Sequence, residues 1–327
     1  MTVLEMIIGI DTSCYTTSVA AVDMEGALIE EERRILSVPA GSRGLSQSAA
    51  LFQHVREGRE VLSRCLRKLP LSHLRGVCVS NCPRPLPESY MPVFLAGVNA
   101  AELLSAALDV PLFDTSHQEG HLMAGQKTAK MPPRERFLAV HLSGGTTELL
   151  LAETKETGFS VKILGGSNDL HAGQLVDRVG VALGLPFPCG QQLDRLACQY
   201  EGSCHPFKKA VQGCEFSLSG AEAEAMRQIN KGTVSAGALA KGIFALLADS
   251  LAKVILTAAA EEQVNTVLLV GGVSGSHCLA RQLQKQLEND MGLYFAPPRY
   301  ARDNAYGVAL LGLRQYEAWK KESNGTK

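Results

Sequence analysis

Short apolar runs alternate along the chain with polar, glycine-bearing turns, and the first of them sets a plan that recurs. Met6-Ile-Ile-Gly-Ile10 is apolar throughout, as a buried strand requires, and runs into the polar turn Asp11-Thr-Ser13. Residues 16–22 read as its hairpin partner, and Glu25-Gly26 turns the chain into a third strand over residues 28–35. From 45 to 68 the apolar positions fall at helical spacing, with Leu51, Phe52, Val55, Val61, Leu62 and Leu66 on one side. A strand over 74–80, an alanine-rich helix over 93–108 and an apolar run over 110–113 follow. Between the first two of these, Asn81-Cys-Pro-Arg-Pro-Leu-Pro87 is excluded from helix by its prolines.

The opening plan then returns. Phe137-Leu-Ala-Val-His-Leu142 leads into Ser143-Gly-Gly-Thr-Thr147 and on to Leu149-Leu-Leu-Ala152, repeating strand, polar turn and strand. A third instance is Thr266-Val-Leu-Leu-Val270 entering Gly271-Gly-Val-Ser-Gly-Ser276. Helical spacing covers 175–183, 236–261 and 279–287. The composition shifts at Lys127-Thr-Ala-Lys-Met-Pro-Pro-Arg-Glu-Arg136, which marks a crossing between lobes. The expected division is therefore an N-terminal lobe over 1–130 and a C-terminal lobe over 131–310. The end of a helix and a frayed tail are expected over 311–327.

Bulk properties narrow the class. A chain of 327 residues is long for one core, which favours two lobes. Its net charge of −1 does not advertise a polyanion partner. The basic side chains Arg56, Arg59, Arg64, Arg67 and Lys68 fit a solvated helix face better than a nucleic-acid footprint. Nine cysteines with no C-x-x-C pair argue against a disulfide framework and for a reducing compartment. The start has no basic n-region, and Lys241, Asp249 and Lys253 interrupt the longest apolar stretch. A cytoplasmic protein without a membrane span is expected.

Two features carry candidate chemistry. In His117-Gln-Glu-Gly-His121 a helix would set the two imidazoles one turn apart, about 5–6 Å between Cβ atoms, able to share a transition-metal ion. Glu119 would lie about 200° around from His117, unlike the base of H-E-x-x-H proteases. The same spacing also suits two histidines of structural use, and a pair is only half a metal site. The second feature is the set of glycine turns. Backbone N–H groups there approach phosphate oxygens without a Cβ in the way, Ser143 and Thr146 add hydroxyls, and Asp11 suits a Mg²⁺–water shell. With G-x-G-x-x-G and G-x-x-x-x-G-K-[ST] both absent, the Rossmann and P-loop readings lose to a nucleotide site between two duplicated lobes.

Taken in order, the motifs resemble the TsaD/Gcp family of tRNA threonylcarbamoyladenosine synthases, within the actin–hexokinase–Hsp70 superfamily. The family's H-x-E-G-H matches His117–His121. Its D-x-x-x-G-x-x-x-D-[KR]-V matches Asp169, Gly173 and Asp177-Arg178-Val179. P-G-G-P-x-[IL]-[ED] is represented by Pro188-Cys-Gly190-Gln-Gln-Leu193-Asp194, F-S-F-S-G by Phe216-Ser-Leu-Ser-Gly220, and T-D-N-A by Arg302-Asp303-Asn304-Ala305. The resemblance implies an α/β, ribonuclease H-like fold of two lobes with a nucleotide cleft between them. It implies Asp303 as the third ligand of a site with His117 and His121, holding one divalent metal, Fe(II) or Zn. It further implies that Asp177, Gly190 and Asp194 hold a ribose, with His141, Leu142, Ser143, Gly144 and Gly145 around the phosphates. Asp11, Gly272 and Ser276 complete the expected nucleotide set, for an ATP/AMP-type ligand with threonylcarbamoyl-AMP as substrate.

The implied reaction is acyl transfer to tRNA adenosine, with no catalytic residue beyond the metal site, so Cys14 and Cys189 read as buried thiols. A TsaB-like partner subunit is also implied. The family's C-D-E-T reads Cys14-Tyr15-Thr16-Thr17 here, without its two acids. S-G-G-H-T has Thr146, G-G-V-x-x-N ends in Ser276, the lysine after F-S-F-S-G-L is Glu222, and G-P-G-L is replaced at Cys82-Pro-Arg-Pro-Leu-Pro87. Those departures keep a diverged paralogue in view. It would be either a carbamoyl transferase with another acceptor or a non-catalytic nucleotide-binding assembly protein. A metalloprotease ranks last.

Overall fold

Continuous apolar runs of five or six residues are too short for core helices and form strands buried on both faces. The computed structural model describes residues 4–13, 15–39 and 44–325. Two units result. Unit 1 takes in the chain up to Lys127, Thr154–Ser160 and the segment from Asp303 onward, and unit 2 holds Thr128–Glu153 and Val161–Arg302.

In unit 1, β1 (Met6–Asp11) pairs antiparallel with β2 (Thr16–Asp23), and β2 with β3 (Leu28–Ile35). On the other side of β1 lie β4 (Leu74–Cys82) and β5 (Leu112–Ser116), both parallel, so the order is β3-β2-β1-β4-β5. Parallel neighbours need crossovers, and these are α1 (Gln47–Leu66) between β3 and β4 and α2 (Phe94–Leu108) between β4 and β5. α3 (His117–Thr128) follows β5 directly. The basic side of α1 is matched by acids: Arg56 pairs with Glu57, Arg64 with Glu60, and Lys68 with Glu30 and Glu32 of β3. Such half-exposed pairs are screened by solvent and add little stability, and Glu57 and Glu60 are shared with Arg34 of β3.

Unit 2 repeats the order. β6 (Arg136–Leu142) pairs antiparallel with β7 (Thr147–Thr154), and β8 (Phe159–Ser167) lies beside β7. β11 (Thr266–Val270) and β12 (Gly292–Phe295) add in parallel beyond β6, giving β8-β7-β6-β11-β12. The third strand-and-turn of the sequence pattern is therefore the counterpart of β4, not of the β1 hairpin. Two short strands, β9 (Val211–Gln212) and β10 (Glu215–Phe216), extend the β8 edge. The helices are α4 (Ala172–Ala182), α5 (Gly190–Gln199), α6 (Ser219–Lys231), α7 (Ala236–Glu262), α8 (His277–Leu287) and the short α9 (Pro298–Ala301). Among the described residues, α7 alone is long and apolar enough to cross a membrane. Fifteen of its residues, from Ala238 to Ala258, are buried in the core of unit 2.

The chain ends differently from expectation. α10 (Tyr306–Gly325) is helical through the residues read as a frayed tail, and it belongs with unit 1 rather than closing the second lobe. Its polar last turns hide this in the sequence, while Val308, Ala309 and Leu311 are fully or almost fully buried. The docking is close: a Cβ on Gly9 of β1 would meet the Ala309 nitrogen at 2.3 Å, and one on Gly312 would meet Cys78 of β4 at 2.5 Å. Cys14 lies outside the described residues. Cys189 is fully buried, its thiol pushed up to about 11 by burial and the nearby Asp177 carboxylate, which makes it a poor nucleophile.

Asp169 shows how one motif acid holds unit 2 together. Its Oδ1 accepts from the backbone N–H groups of Leu170 and Leu218, and its Oδ2 from the backbone and hydroxyl of Ser219 and the hydroxyl of Ser217. It thus caps α6 from outside. Partial burial pushes its carboxyl upward, but these donors outweigh that and hold it well below the usual carboxylate range. A carboxyl depressed in the folded state stabilises above its unfolded pKa of about 4 and loses that contribution as pH falls through the folded value. Asp169→Ala is expected to cost about 1–2 kcal/mol in urea unfolding at neutral pH, with the difference from wild type shrinking below about pH 4.

Candidate functional site

The end of β5 runs straight into α3, and the junction is built by a reciprocal cap. Ser116 Oγ accepts from the Glu119 N–H at 3.2 Å, while Glu119 Oε2 accepts from the Ser116 N–H at 3.0 Å. This is the capping box of a Ser-x-x-Glu sequence. Glu119 also takes the hydroxyls of Thr115 and Ser116 and, through Oε1, the Phe159 N–H. The motif glutamate thus points away from the histidines, as its helical position predicted, and serves the helix start. Ser116-His-Gln-Glu119 carried that signal in the sequence.

With the helix started there, His117 and His121 stand one turn apart, ring centroids 4.5 Å from each other. The third member comes from the segment before α10. Asp303 Oδ1 lies 3.6 Å from His117 Nε2 and 3.4 Å from His121 Nε2. Two glycines permit this. A Cβ on Gly307 would fall 1.8 Å from the Gly120 carbonyl oxygen, and one on Gly120 would meet Val308 at 3.1 Å. Asn304 Oδ1 accepts from the Tyr306 N–H, and Tyr306 Oη donates to the Gly26 carbonyl, so the start of α10 is pinned immediately after Asp303.

The donor set fits a transition-metal ion. One ligand atom from each of the three residues lies within 4.8 Å of the others. Ligands 2.0–2.1 Å from a tetrahedral ion stand about 3.4 Å apart, close to the two nitrogen–oxygen separations here. His121 and His117 are 2% and 12% exposed and Asp303 22%, so the cluster is largely enclosed yet open on the carboxylate side. Burial would lower the His117 pKa, but the carboxylates of Asp11 and Asp303 overcome it and raise the ring to about 10. Burial and then the His117 charge lower His121. Burial raises the Asp303 carboxyl, and the two imidazoles more than reverse that, holding it well below the usual range. Two enclosed carboxylates held ionised around imidazoles are what a divalent cation neutralises.

Asp11 differs from its expected place in a Mg²⁺–water shell. It is fully buried at the end of β1, with Oδ1 3.2 Å from His117 Nδ1 and Oδ2 accepting from Ser13 Oγ at 2.7 Å. Ser80 Oγ also donates to Oδ1. No sequence signal singled out Ser80, which reaches Asp11 only through the parallel pairing of β1 with β4.

The other expected nucleotide residues all lie in unit 2. His141 and Leu142 are buried at the end of β6, and Ser143-Gly144-Gly145 turn outward, with no atom near where a Cβ on either glycine would stand. β11 ends beside them, Val270 paired with His141, so the Gly271-Gly272 turn lies at the same sheet edge, with Gly272 equally open. A Cβ on Gly173, in the first turn of α4, would meet the Ser143 carbonyl oxygen at 2.6 Å. Its N–H donates to that oxygen, so α4 starts against the turn. Asp177 Oδ1 accepts from the Cys189 N–H at 2.7 Å, just before Gly190, and burial pushes its carboxyl up. Asp194 is occupied otherwise than expected. Its Oδ1 takes Ser276 Oγ, the Cys278 N–H and, at 3.9 Å, Cys198 Sγ, while Oδ2 takes the His277 N–H, so the side chain caps α8 and Oδ2 is its less occupied oxygen. Ser276 accepts in turn from the Leu279 N–H.

Residues 49–310 match the family described as TsaD, tRNA N6-adenosine threonylcarbamoyltransferase. A protein of that name from Sulfurihydrogenibium sp. is 30% identical over 321 residues, covering 95% of this chain and 91% of its own. Component A of (R)-2-hydroxyglutaryl-CoA dehydratase from Acidaminococcus fermentans superposes with a TM-score of 0.58 at 16% identity, over 96% of this chain and 99% of its own. A ROK family glucokinase from Streptomyces griseus gives 0.54 at 11% identity, over 95% and 99%. At those identities the two structures speak for the fold, the duplicated α/β architecture of the actin–hexokinase class.

The glycine contact and the donor set each lead to a measurement. Gly307→Ala is expected to lower stability by at least about 1–3 kcal/mol through overpacking and to weaken metal binding, read by thermal melts with and without Zn(II). The wild-type chain should gain about 2.7 kcal/mol at a metal concentration one hundred times its Kd; His121→Ala should gain nothing.

Proposed function

The chain belongs to the TsaD family of tRNA N6-adenosine threonylcarbamoyltransferases, and on that premise we propose that His117, His121 and Asp303 form its metal site and that unit 2 holds the adenylate. The observation that carries the reading is the meeting of both imidazoles on one Asp303 oxygen, at 3.4 and 3.6 Å. The chemistry joins the threonylcarbamoyl carbon to N6 of a tRNA adenosine. The carbon–oxygen bond to the adenylate phosphate breaks, AMP leaves, and N6 gives up a proton. A divalent ion, Fe(II) by the two-His, one-carboxylate set with Zn(II) as the other candidate, would supply positive charge to the developing negative charge of the carbamoyl oxygen.

The protein's own residues do the rest. Gly144 and Gly272, with no atom where a Cβ would stand, are suited to present backbone N–H groups to the adenylate phosphate, while the Ser143 N–H closes the turn on the Thr146 carbonyl. Asp177 and Oδ2 of Asp194, which carries a single donor, are suited to ribose hydroxyls, with Gly190 leaving room beside Asp177. His141 and Leu142 shape the strand end behind the turn. No thiol or hydroxyl nucleophile is needed, consistent with the raised Cys189 thiol. On this reading the reaction takes place in the cytoplasm with tRNA as partner, and the family resemblance implies a TsaB-like subunit.

A second reading, transfer to another acceptor, is favoured by Tyr15 and Thr16, which put no carboxylate at the β1–β2 turn. Nucleoside mass spectrometry of tRNA decides between them, in cells where this chain is the sole family member. Threonylcarbamoyladenosine is expected to be present, and to fall by roughly 100-fold or more with His121→Ala or Asp303→Asn. Unmodified tRNA together with turnover of a threonylcarbamoyl adenylate would instead assign a different acceptor.

A further inference from the structure

A carboxylate shut away from water is costly unless charges and donors surround it. Asp11 is such a group, fully buried, with three side-chain partners: Ser13 Oγ on Oδ2, and Ser80 Oγ and His117 Nδ1 on Oδ1. The two hydroxyls approach from the β1 turn and from β4, and together they fix the direction in which Oδ1 faces the imidazole. Across that ring, Nε2 faces Asp303 Oδ1 at 3.6 Å. The ring is thus held between two carboxylates, one enclosed and one partly open to solvent.

We propose that Asp11 is a positioning residue for the metal site: it accepts the Nδ1–H of His117, leaving the Nε2 lone pair on the side where His121 and Asp303 converge. Neutral imidazole has two tautomers, and only one presents Nε2 as a ligand. A fixed carboxylate on the opposite nitrogen selects that tautomer, sets the ring plane and makes the ligating nitrogen more basic. The Ser13 and Ser80 hydroxyls are then the outermost members of a chain running through Asp11 to His117. This role rests on the metal reading above and replaces the nucleotide role expected for Asp11, because both of its oxygens are turned into the protein.

The test uses the full chain with Co(II) as a visible probe and Zn(II) for nitrogen NMR. Asp11→Asn is expected to weaken Co(II) binding roughly 10–100-fold, to shift the Co(II) absorption bands, and to leave ATP affinity of the metal-free protein unchanged. In the Zn(II)-loaded wild type the ¹⁵N shifts of His117 should report a proton on Nδ1. Ser80→Ala keeps the carboxylate but loosens it, and a smaller loss of about 2–10-fold is expected; it decides the matter if Asp11→Asn fails to fold. If the wild type itself does not bind Co(II), the metal reading falls. If the wild type binds and the Asp11 and Ser80 variants match it in affinity and spectrum, the positioning role is overturned while the metal reading stands. Loss of ATP affinity in metal-free Asp11→Asn would also overturn it, returning Asp11 to the nucleotide.

Discussion

The contact between Gly307 of α10 and Gly120 of α3 governs the geometry of the candidate centre. Neither residue has a side chain, so the two backbones approach to a distance at which a single added carbon would overlap a carbonyl oxygen. Gly9 does the same for α10 against β1. A helix held this closely on two sides has little freedom to slide, and Asp303 stands just before it. Its carboxylate reaches the two histidines because backbone, not side chain, sets the spacing. A metal tolerates errors of only a few tenths of an ångström, so a ligand in the bend before α10 depends on how firmly that helix is seated.

The acidic residues of the sequence motifs divide into two kinds once their partners are known. Glu119, Asp169 and Asp194 spend their oxygens on backbone N–H groups at the starts of α3, α6 and α8. Each satisfies donors that a helix terminus leaves without intrahelical partners, and each gains from the dipole there. Asp303 and Asp11 instead face imidazoles, one from the open side and one from within. A motif acid is thus no sign of chemistry by itself. The partner atoms decide, and for most of these acids the partner is a helix start.

Departures from the family pattern are absorbed in a similar way. Glu222, where a lysine would stand, receives two bonds from Arg178, so the reversed charge is met by the neighbouring motif residue. The proline-rich stretch after β4 accepts the Gln118 N–H through the Pro83 carbonyl and so braces the first turn of α3. Thr16, in place of an acid, is buried at the start of β2. His117, His121 and Asp303 keep the residues of the family's motifs, while the β1–β2 turn does not.

Local pattern was enough for much of this protein. The strands β1, β2, β4, β6, β7 and β11 and the helices α2, α7 and α8 follow from apolar period, because burial on a fixed repeat leaves its mark in a single stretch. α1 is helical as its spacing predicts, but Phe52 and Val55 of its expected apolar side are 65% and 62% exposed while His54 is buried. The ordered motifs were enough to bring His117, His121 and Asp303 together in expectation, although 182 positions separate His121 from Asp303 in the chain. Tertiary structure alone decided the rest. The edge strand β8, the amphipathic α5 and α6 and the polar-ended α10 are stabilised by neighbours that no local window contains. The enclosure of Asp11 depends on the pairing of β1 with β4, some seventy residues on, which brings Ser80 to a carboxylate that the sequence alone leaves facing solvent. Period and propensity are local quantities, whereas which atoms share a buried carboxylate is settled only when distant strands and helices close around it.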